Sequence, residues 1–475
     1  MGTILTVVEE ISPVPAPLEA LRAFAHLPHP LLMESALQRE HVGRYSFLTA
    51  DPYRFWQIPR VGFGVDPFRE IRSELTAQCT ETLPDLPPFQ GGAAGALAYE
   101  LGGAWERLPP AAQDEFQFPD LAVGLYDWVL SWDHVANRCW IISQGYPEID
   151  PHSRKNRARE RLQQICSCLS KTRPDHTVPS STPVQPSERI SIPKENSHSV
   201  ESLPGLLSNF SRSNYLQTVK KAIEYIAAGD IFQVNLSQRL LYPQNCDPLE
   251  LYSRLRTRNP APFAGFFGAD GWSIVSASPE RFVSVHNGEV ETRPIKGTRR
   301  RATAPEADLF TRDALRESEK DQAENVMIVD LMRNDLSKVC RPGGIRVPHL
   351  CSVETYETVQ HLVSEVRGKL ADGQSGWDLL RAAFPGGSIT GAPKVRAMEI
   401  VAELEPTARG AYCGSLFYLG YDGQMDSSIL IRTFTVSGGW VQCPVGGGIV
   451  AQSDPEAEYQ ETWHKAEGML RALLP

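Results

Sequence analysis

The sequence predicts a large α+β fold, because helical and strand patterns alternate along the chain without a regular βαβ order. Apolar residues recur every three or four positions in residues 213–226, which predicts a helix that ends at Gly229. Residues 231–240 alternate as a half-buried strand does, and residues 121–130 are rich in aromatic and β-branched types. Glycine-rich turns separate the later segments, and no repeat of fixed period stands out.

The chain has 475 residues, enough for two or three ordinary domains or for one large fold with two halves. Residues 1–150 are interpreted as an N-terminal domain and residues 213–475 as a second, catalytic domain. Residues 151–212 contain a basic stretch with helical character and then a run rich in Pro, Ser and other polar residues. Because such a run cannot bury much apolar surface, it is predicted to be a flexible linker.

The composition is that of a soluble globular protein, with 41% hydrophobic and 22% charged residues. The formal net charge of −10 argues against nucleic-acid binding, which normally requires a basic surface. Apolar runs of about 18 residues and a secretory leader are both missing from the sequence, so no membrane association is predicted. The nine cysteines have neither disulfide nor zinc spacing, which indicates a reducing compartment. We therefore expect a cytoplasmic protein.

Two predicted helices carry closely spaced carboxylates. Asp321 and Glu324 are three residues apart and share one face of the first helix. Glu458 and Glu461 have the same spacing on the second, which is predicted to begin near Asp454. Because Mg²⁺ needs only one or two protein carboxylates besides substrate oxygens and water, the two helices could bind one ion together. The alternative is that both are solvated acidic faces, as is usual for these residue types.

Lys296 is the most informative single residue. It stands between Pro294 and the pair Gly297 and Thr298, which restrict the backbone around it, and it follows Glu280 by sixteen positions. A lysine in this setting is a plausible nucleophile if burial keeps it neutral. The alternative is that Lys296 only pairs with an acidic residue, since a buried lysine needs some partner.

Two glycine-rich segments are candidates for ligand contact. Residues 384–394 do not form a phosphate loop, because Lys394 does not directly follow the second glycine of that motif. Backbone N–H groups at such a turn can still attract a carboxylate. Gly446, Gly447 and Gly448 would let a ligand approach the backbone closely, although a glycine triplet is also common in bulges and turns.

Arg432 and His361 are each placed on an apolar strand by the sequence pattern. The guanidinium of Arg432 has the planar fork that binds a carboxylate. His361 could contact a ligand, although an isolated histidine among apolar residues is more often a core residue with a local hydrogen bond.

Taken in order, the motifs of residues 213–475 resemble those of the chorismate-using enzymes. These motifs are Gln233-Val-Asn-Leu, Ser278-Pro-Glu, Pro294-Ile-Lys-Gly-Thr, Ala323-Glu-Asn, Gly387-Ser-Ile-Thr-Gly-Ala-Pro-Lys, Ile431-Arg-Thr, Gly446-Gly-Gly and Glu458-Tyr-Gln-Glu. The N-terminal portion is similar to the corresponding half of the two amino-transferring branches, in Leu32-Met-Glu-Ser and Gly43-Arg-Tyr-Ser. The resemblance implies a large unit of packed antiparallel sheets with helices outside.

The resemblance also assigns expected roles to residues of the second half. Glu324 and Glu461 would bind Mg²⁺, with Glu458 close by, and the ion would hold the ring carboxylate of chorismate. Arg432 and Tyr412 would contact the enolpyruvyl carboxylate. The remaining pocket residues would be His361, Thr298, Ser388, Gly446, Gly447 and Gly448.

Two positions favour one reaction course within the family. In the resemblance Glu280 is the general acid that protonates the departing 4-hydroxyl, and Lys296 adds to carbon 2 before ammonia adds at carbon 4. The product would be 4-amino-4-deoxychorismate, the course of the aminodeoxychorismate synthase large subunits. Large subunits of anthranilate synthases usually carry alanine where this chain has Lys296. Gln233 replaces the lysine that activates water in the water-adding branch, and glutamine cannot accept a proton in that role.

The sequence contains no recognisable glutamine-hydrolysing cysteine motif and no pyridoxal lyase domain. The resemblance therefore implies a heterodimer with a separate glutaminase subunit that supplies ammonia, and a separate aminodeoxychorismate lyase that forms 4-aminobenzoate for folate synthesis. The alternatives are an anthranilate synthase large subunit and a non-catalytic subunit of the same fold. Glu34, Ser35, Asn259 and Pro260 resemble a tryptophan pocket, which could be a feedback site, a structural tryptophan site or only packing.

Overall fold

The computed structural model describes residues 5–38, 42–77, 82–171, 189–201, 203–301, 304–355 and 359–474. The strands are β1 (Val7–Glu10), β2 (Leu31–Glu34), β3 (Tyr45–Thr49), β4 (Arg54–Ile58), β5 (Gly92–Leu97), β6 (Leu121–Tyr126), β7 (Trp128–Asp133), β8 (Arg138–Ser143), β9 (His198–Ser199), β10 (Leu207–Ser208), β11 (Gln233–Pro243), β12 (Phe263–Ala269), β13 (Trp272–Ser278), β14 (Arg281–His286), β15 (Glu289–Thr292), β16 (Ile295–Arg300), β17 (Arg346–Thr355), β18 (Val359–Lys369), β19 (Gly391–Ala392), β20 (Ser415–Gly420), β21 (Met425–Ile429), β22 (Thr433–Ser437) and β23 (Trp440–Ile449).

The α-helices are α1 (Pro17–Phe24), α2 (Arg69–Ala77), α3 (Pro151–Lys171), α4 (Arg212–Ala227), α5 (Pro248–Arg258), α6 (Pro305–Glu317), α7 (Glu319–Ser337), α8 (Gly376–Ala383), α9 (Lys394–Leu404) and α10 (Pro455–Leu473). Short 3₁₀ helices span Tyr99–Ala104, Lys194–Asn196 and Gly387–Ile389. None of the helices in the described ranges is both long and apolar enough to cross a membrane.

The strands form two large antiparallel sheets, so the predicted α+β class is confirmed. In the described ranges the first sheet has the order β1-β8-β7-β3-β2-β12-β13-β22-β23-β11-β10-β9, with β19 also paired to β11. The second has the order β16-β18-β15-β14-β21-β20-β5-β6-β4, with β17 also paired to β18.

The two sheets pack on each other through a shared apolar core. Phe47 from the first sheet and Tyr418 from the second have ring centroids 5.2 Å apart. Gly265 in β12 leaves room for the other sheet, since a Cβ there would lie 2.7 Å from Leu416 Cδ2 in β20. This close approach is possible only for a residue without a side chain.

Strands from the first 150 residues and from the last 263 share both sheets. β2 pairs with β12 in the first sheet, and β5 pairs with β20 in the second. The boundary expected near residues 150 and 213 therefore separates two stretches of sequence that form one continuous pair of sheets. The strand predicted at 121–130 is divided at Asp127: β6 belongs to the second sheet and β7 to the first, so the chain crosses between the sheets here.

The segment between the two stretches is only partly described. The predicted basic helix is α3, while residues 172–188, at the centre of the Pro/Ser-rich run, lie outside the described residues. After residue 188 the chain packs against the fold, because β10 pairs with β11 and Leu206 is 1% exposed. The described end of the expected linker, up to residue 211, is therefore packed rather than free.

Local sequence signals explain where the helices around the candidate site begin. Ser211 caps α4 by accepting a hydrogen bond from the N–H of Asn214, and α4 ends at Ala227, before Gly229. Asp454 caps α10 by accepting from the N–H of Ala457, and Pro455 occupies the first turn. Both predicted helices are thus confirmed, as is the strand that begins near residue 231, observed as β11.

Candidate active site

Lys296 lies on β16, next to a bulge. Lys296 pairs with Leu362 of β18, Thr298 pairs with His361, and the register shifts between them at Gly297. Gly297 has φ of 63°, a left-handed conformation that favours glycine. A Cβ there would also lie 2.8 Å from Leu315 Cδ1. The glycine after Lys296 is therefore needed both for backbone conformation and for space.

The ammonium group of Lys296 points into the interior. Its Nζ lies 3.5 Å from the carbonyl oxygen of Ser388. Burial lowers the pKa of Lys296 below its ordinary range, although Glu324 and Glu280 nearby favour the charged form. Burial thus brings the lysine closer to the neutral state that a nucleophile requires.

Glu280 lies between β13 and β14 and is 6% exposed. Burial raises the pKa of Glu280 to about 7, against the effects of the Ser388 hydroxyl, Lys296 and Arg432, which all favour the ionised form. A carboxyl group with this pKa is protonated in a large fraction of molecules at neutral pH, so it can donate a proton. The structure thus brings Lys296, Glu280 and Ser388 together.

The predicted carboxylates lie on two helices that face the same region. Lys320 links them: its Nζ is 4.0 Å from Glu324 Oε1 on α7 and 3.8 Å from Glu458 Oε1 on α10. Burial raises the pKa of Glu324 and of Glu458. The pKa of Glu461 is lowered, since Lys465 at 2.7 Å and other lysines outweigh the effect of its burial.

Sequence reasoning did not single out Lys320 and Lys465, which neutralise these carboxylates. Lys320 precedes Glu324 by four residues, and Lys465 follows Glu461 by four, so each pair shares a helix face. This spacing could have been read from the sequence. It shows that the acidic faces are partly compensated by the protein's own cations.

The donor set fits Mg²⁺ only with help from a ligand. In the described part of the chain, no three Asp, Glu, His or Cys side chains converge closely enough to form a metal site. Glu458 Oε2 and Glu461 Oε1 both lie 3.4 Å from the position that a Cβ on Gly447 would take. Two carboxylates that share one open space suit an ion that completes its shell with substrate oxygens and water.

Gly446, Gly447 and Gly448 lie inside β23, paired with β11, rather than after a strand. Gly446 also accepts a hydrogen bond at its carbonyl from Lys465 Nζ, at 2.9 Å. A Cβ on Gly448 would lie 2.2 Å from Gln233 Nε2, so the glycine makes room for this amide. The Oε1 atom of Gln233 is buried and has no hydrogen-bond partner within the described structure. Such an acceptor is available to a ligand.

The prediction that Arg432 lies on a strand is wrong. Arg432 lies in the bend between β21 and β22, with φ of 51°. β21 belongs to the second sheet and β22 to the first, so the chain crosses between sheets here. The apolar neighbours Ile429 and Ile431 produce a strand-like pattern locally, but only the pairing partners reveal the crossing. The crossing brings Arg432 close enough to Glu280 to influence its charge.

Tyr412 is 5% exposed and lies in the turn before β20. The next residue, Cys413, donates its N–H to the carbonyl of Leu430, two residues before Arg432. Burial raises the pKa of Tyr412 well above its ordinary range, so the phenol remains a neutral donor. Tyr412 and Arg432 thus lie on neighbouring segments of backbone.

His361 and Ser388 are also buried, at 4% and 9% exposure. The prediction of a strand around His361 is confirmed, since it lies on β18. The Thr298 backbone pairs with that of His361, while the Thr298 side chain is outside the described part.

The residues of the expected tryptophan pocket lie at a different place in the fold. Glu34, on β2, accepts hydrogen bonds from Tyr252 and Arg256 of α5. Ser35 donates to the carbonyl of Tyr45 at 2.6 Å. Both Glu34 oxygens are thus already occupied by groups of the protein. Asn259 is the C-terminal capping residue of α5, and Pro260 follows it.

A groove of about 780 Å³ runs along the outer side of α7. Its lining includes Phe232, Val326 and Pro393 but none of Lys296, Glu280 or Ser388, so the groove is distinct from the cluster that those three residues form.

Known proteins share this sequence and this fold over nearly its full length. The profile of the chorismate binding enzyme family matches residues 38–471. The chain is 40% identical over 460 residues to aminodeoxychorismate synthase component 1 of Salmonella typhimurium, covering 94% of both chains. It is 39% identical over 456 residues to anthranilate synthase component 1 of Streptomyces coelicolor, covering 95% of this chain and 86% of that one.

Among solved structures, anthranilate synthase component I from Streptococcus pneumoniae TIGR4 superposes with a TM-score of 0.74. The two are 27% identical, and the match covers 97% of this chain and 98% of the other. The order of motifs, the paired antiparallel sheets and these matches lead to one conclusion: the chain belongs to the family of chorismate binding enzymes.

Proposed function

We propose that this enzyme aminates chorismate at carbon 4 to give 4-amino-4-deoxychorismate, the activity named for its aminodeoxychorismate synthase relatives. The observation that carries the proposal is the contact of three groups: Lys296 with a lowered pKa, Glu280 with a pKa of about 7, and Ser388 between them. A desolvated amine beside a protonated carboxyl is suited to an addition in which a hydroxyl leaves.

In the first step, the neutral Nζ of Lys296 forms a bond to carbon 2 of chorismate. The ring double bonds shift, the carbon–oxygen bond at carbon 4 breaks, and Glu280 gives its proton to the departing hydroxyl, which leaves as water. In the second step, ammonia forms a bond to carbon 4, the double bonds shift back, and the bond from carbon 2 to Lys296 breaks, so that the lysine leaves as a neutral amine. The new ammonium group at carbon 4 then returns one proton to Glu280. The net change is the replacement of a hydroxyl by an amino group, and the enolpyruvyl group is retained.

Chorismate carries two carboxylates, and different groups around Lys296 would bind each of them. Arg432 and Tyr412, on neighbouring segments, supply a cation and a neutral donor suited to the enolpyruvyl carboxylate. Glu324 and Glu461, with Glu458, would hold Mg²⁺, which when bound supplies positive charge for the ring carboxylate. Lys320 and Lys465 balance these carboxylates when no cation is present.

Gln233 supports ammonia rather than water as the second reactant. Its buried Oε1 is an unpaired acceptor that can receive an N–H of ammonia, but an amide cannot remove a proton from water. Ammonia would come from a separate glutaminase subunit, because the sequence has no motif for glutamine hydrolysis. A downstream aminodeoxychorismate lyase would then release pyruvate to give 4-aminobenzoate.

The test is mass spectrometry of the products that the purified chain forms from chorismate, Mg²⁺ and ammonium. We expect an aminated product that keeps the enolpyruvyl group. Anthranilate with pyruvate would assign the chain to the anthranilate branch and reject the role of Lys296. Unchanged chorismate, in a sample that also contains the glutaminase subunit and glutamine, would indicate a non-catalytic subunit.

The nitrogen source can be tested in the same assay. The chain alone should consume chorismate with ammonium but not with glutamine, and addition of the glutaminase subunit should restore activity with glutamine. Turnover of glutamine by the chain alone would reject the need for a separate subunit.

A further inference from the structure

Lys394 is a buried cation that the proposed reaction does not use. Its side chain is 12% exposed, and its Nζ donates to Asp335 Oδ2 at 2.5 Å and to the carbonyl of Ala383 at 2.7 Å. The Asp335 side chain is 2% exposed, and its other oxygen accepts from Lys338 at 3.0 Å. Lys394 therefore belongs to a buried ion pair that also binds a backbone carbonyl.

The two contacts of Lys394 fix the position of the loop between α8 and α9. Ala383 is the last residue of α8 and Lys394 the first of α9, so the hydrogen bond joins the two ends of residues 384–393, here called the Ser388 loop. Asp335 belongs to α7, so the same ammonium group also anchors the loop to that helix.

The Ser388 loop is packed tightly between α7 and the second sheet. A Cβ on Gly387 would lie 2.6 Å from Leu331 Cδ2 of α7. A Cβ on Gly386 would lie 3.1 Å from Ile429 Cδ1 and 3.5 Å from the ring of Phe282, two residues beyond Glu280. The loop thus contacts α7 on one side and the strands that flank Glu280 on the other.

Asp335, which binds Lys394, lies on the same face of α7 as Glu324 of the candidate site. Asp335 follows Glu324 by eleven residues, which at 3.6 residues per turn returns to within about 20° of the same face. At about 1.5 Å per residue, the two carboxylates are about 16 Å apart along α7. The loop lies against this face and presents Ser388, whose carbonyl accepts from Lys296 and whose hydroxyl binds Glu280.

We propose that Lys394 is a positioning residue that holds the Ser388 loop in register along α7, so that Ser388 keeps Lys296 and Glu280 in reacting geometry. The inference deepens the proposed function and rests on it. Stability alone does not require the pair, because replacing a buried ion pair by apolar side chains is often neutral or stabilising.

The test compares Lys394→Met, Asp335→Asn and the double variant with Arg161→Met as the matched control. Arg161, on α3, forms a buried pair with Asp127, which lies between β6 and β7; the side-chain exposures are 10% and 0%. Lys394→Met should lower kcat for chorismate consumption by roughly 10–100-fold, the effect of a misplacement of about 1 Å, while KM changes by less than about threefold. Arg161→Met should lower the thermal midpoint and leave kcat within about twofold of the wild type.

If Lys394 acts through Asp335, the double variant should be no slower than Lys394→Met, because residues of one network are not additive. The double variant also leaves no unpaired buried charge, so it serves if the single variant fails to fold. Additive losses, or a folded variant with kcat within about twofold of the wild type, would overturn the inference.

A second measurement separates positioning from general loss of stability. When Ser388 is displaced, its hydroxyl stabilises ionised Glu280 less, so the alkaline limb of the pH–rate profile should move to higher pH. Lys296 and Arg432, the charged groups that face Glu280, are unchanged in the variant. The limb of Arg161→Met should stay in place, and an equal movement in both variants would contradict the inference.

Hydrogen exchange keeps the inference testable if the proposed function fails. A wild-type chain that consumes no chorismate would reject that function, and Lys394→Met should still speed amide exchange in residues 385–392 but not in α3. Unchanged exchange in the loop would reject the anchor itself.

Discussion

In the proposed reaction the amine of Lys296 must lack a proton and the carboxyl of Glu280 must carry one. Burial favours both of these states, because each is the uncharged form of its group. Burial disfavours the charged form of each, so the lysine pKa falls and the glutamic acid pKa rises to about 7. Near neutral pH, the population with a neutral amine and a protonated carboxyl is therefore larger than it is for the same groups in water.

In the proposed reaction Lys296 is the nucleophile. Lys296→Ala should therefore abolish the covalent adduct between enzyme and chorismate and lower chorismate consumption by at least about 100-fold. The adduct is measured by intact-protein mass spectrometry after rapid quenching without ammonium. Lys220→Ala, an exposed lysine on α4, is the control and should still form the adduct. An adduct of normal yield in Lys296→Ala would reject the covalent step.

The pH dependence follows from the two shifts. In the proposed reaction Glu280 acts in its protonated form and Lys296 in its neutral form. The value of kcat/KM should therefore fall as pH rises through about 7, and it should also fall toward acid pH. Glu280→Gln should lower kcat by about 10²–10⁴-fold, the usual contribution of a general acid. An alkaline limb that persists unchanged in Glu280→Gln would assign it to another group.

The same substitution should stabilise the protein at alkaline pH. The folded-state pKa of Glu280 is raised, so the stability associated with its protonated form is lost as pH rises from the unfolded pKa to about 7. Glutamine resembles the protonated acid and keeps that stability. Glu280→Gln should increase the free energy of unfolding at pH 8 by about 1–3 kcal/mol, with a smaller gain at pH 5. Chemical denaturation at both pH values measures this, and an equal gain at both would contradict it.

Strand β23 and helix α10 act together at the carboxylate cluster. The strand brings glycine backbone against the helix face that carries Glu458 and Glu461, and Gly447 leaves the space between their oxygens open. The alternation of side chains along β23 and the three-residue spacing of Glu458 and Glu461 on α10 are local properties of the sequence. The contact between the glycines and these carboxylates depends on the packing of α10 on β23.

At the proposed Mg²⁺ site, Gly447→Ala should weaken binding of the ion, because the new Cβ would lie 3.4 Å from one oxygen of Glu458 and one of Glu461. We expect the Mg²⁺ concentration for half-maximal activity to rise by about tenfold, or about 1.4 kcal/mol, which calorimetric Mg²⁺ titration of the chain with chorismate can measure independently. Gly468→Ala is the control, since its Cβ makes only ordinary contact, 3.5 Å from Asn259. Equal Mg²⁺ affinity in the wild type, Gly447→Ala and Gly468→Ala would show that Glu458 and Glu461 do not bind the ion.

Both sheets are built from distant parts of the chain. The site residues lie after residue 213, yet β12 and β20, which support them, pair with β2 and β5 from the first hundred residues. The site therefore depends on the N-terminal stretch for its supporting strands.

A fragment of residues 213–475 should not fold alone, because β12 and β20 would expose unpaired edges and apolar core. Circular dichroism and dye binding should report a collapsed or aggregated state, and co-expression with residues 1–171 should restore chorismate consumption. A soluble fragment with a cooperative unfolding transition would contradict this.

Several features could be predicted from the sequence because they depend on neighbouring residues. The periodicity of α4, the capping of α10 by Asp454 and the strand at His361 all arise within one or two turns or strand repeats. The chemical types needed at the site, an amine, carboxyls and close-packed glycines, were also evident from motif order.

Other features depend on long-range pairing and burial, which local spacing does not encode. Arg432 has strand-like neighbours, but it lies at a crossing between sheets because β21 and β22 pair with different partners. The pKa of Glu280 rises to about 7 because the folded chain buries its carboxyl group, and this burial outweighs the opposing effects of Ser388, Lys296 and Arg432. Local sequence thus set the elements and their chemistry, while the folded chain set which groups meet and how strongly each holds its proton.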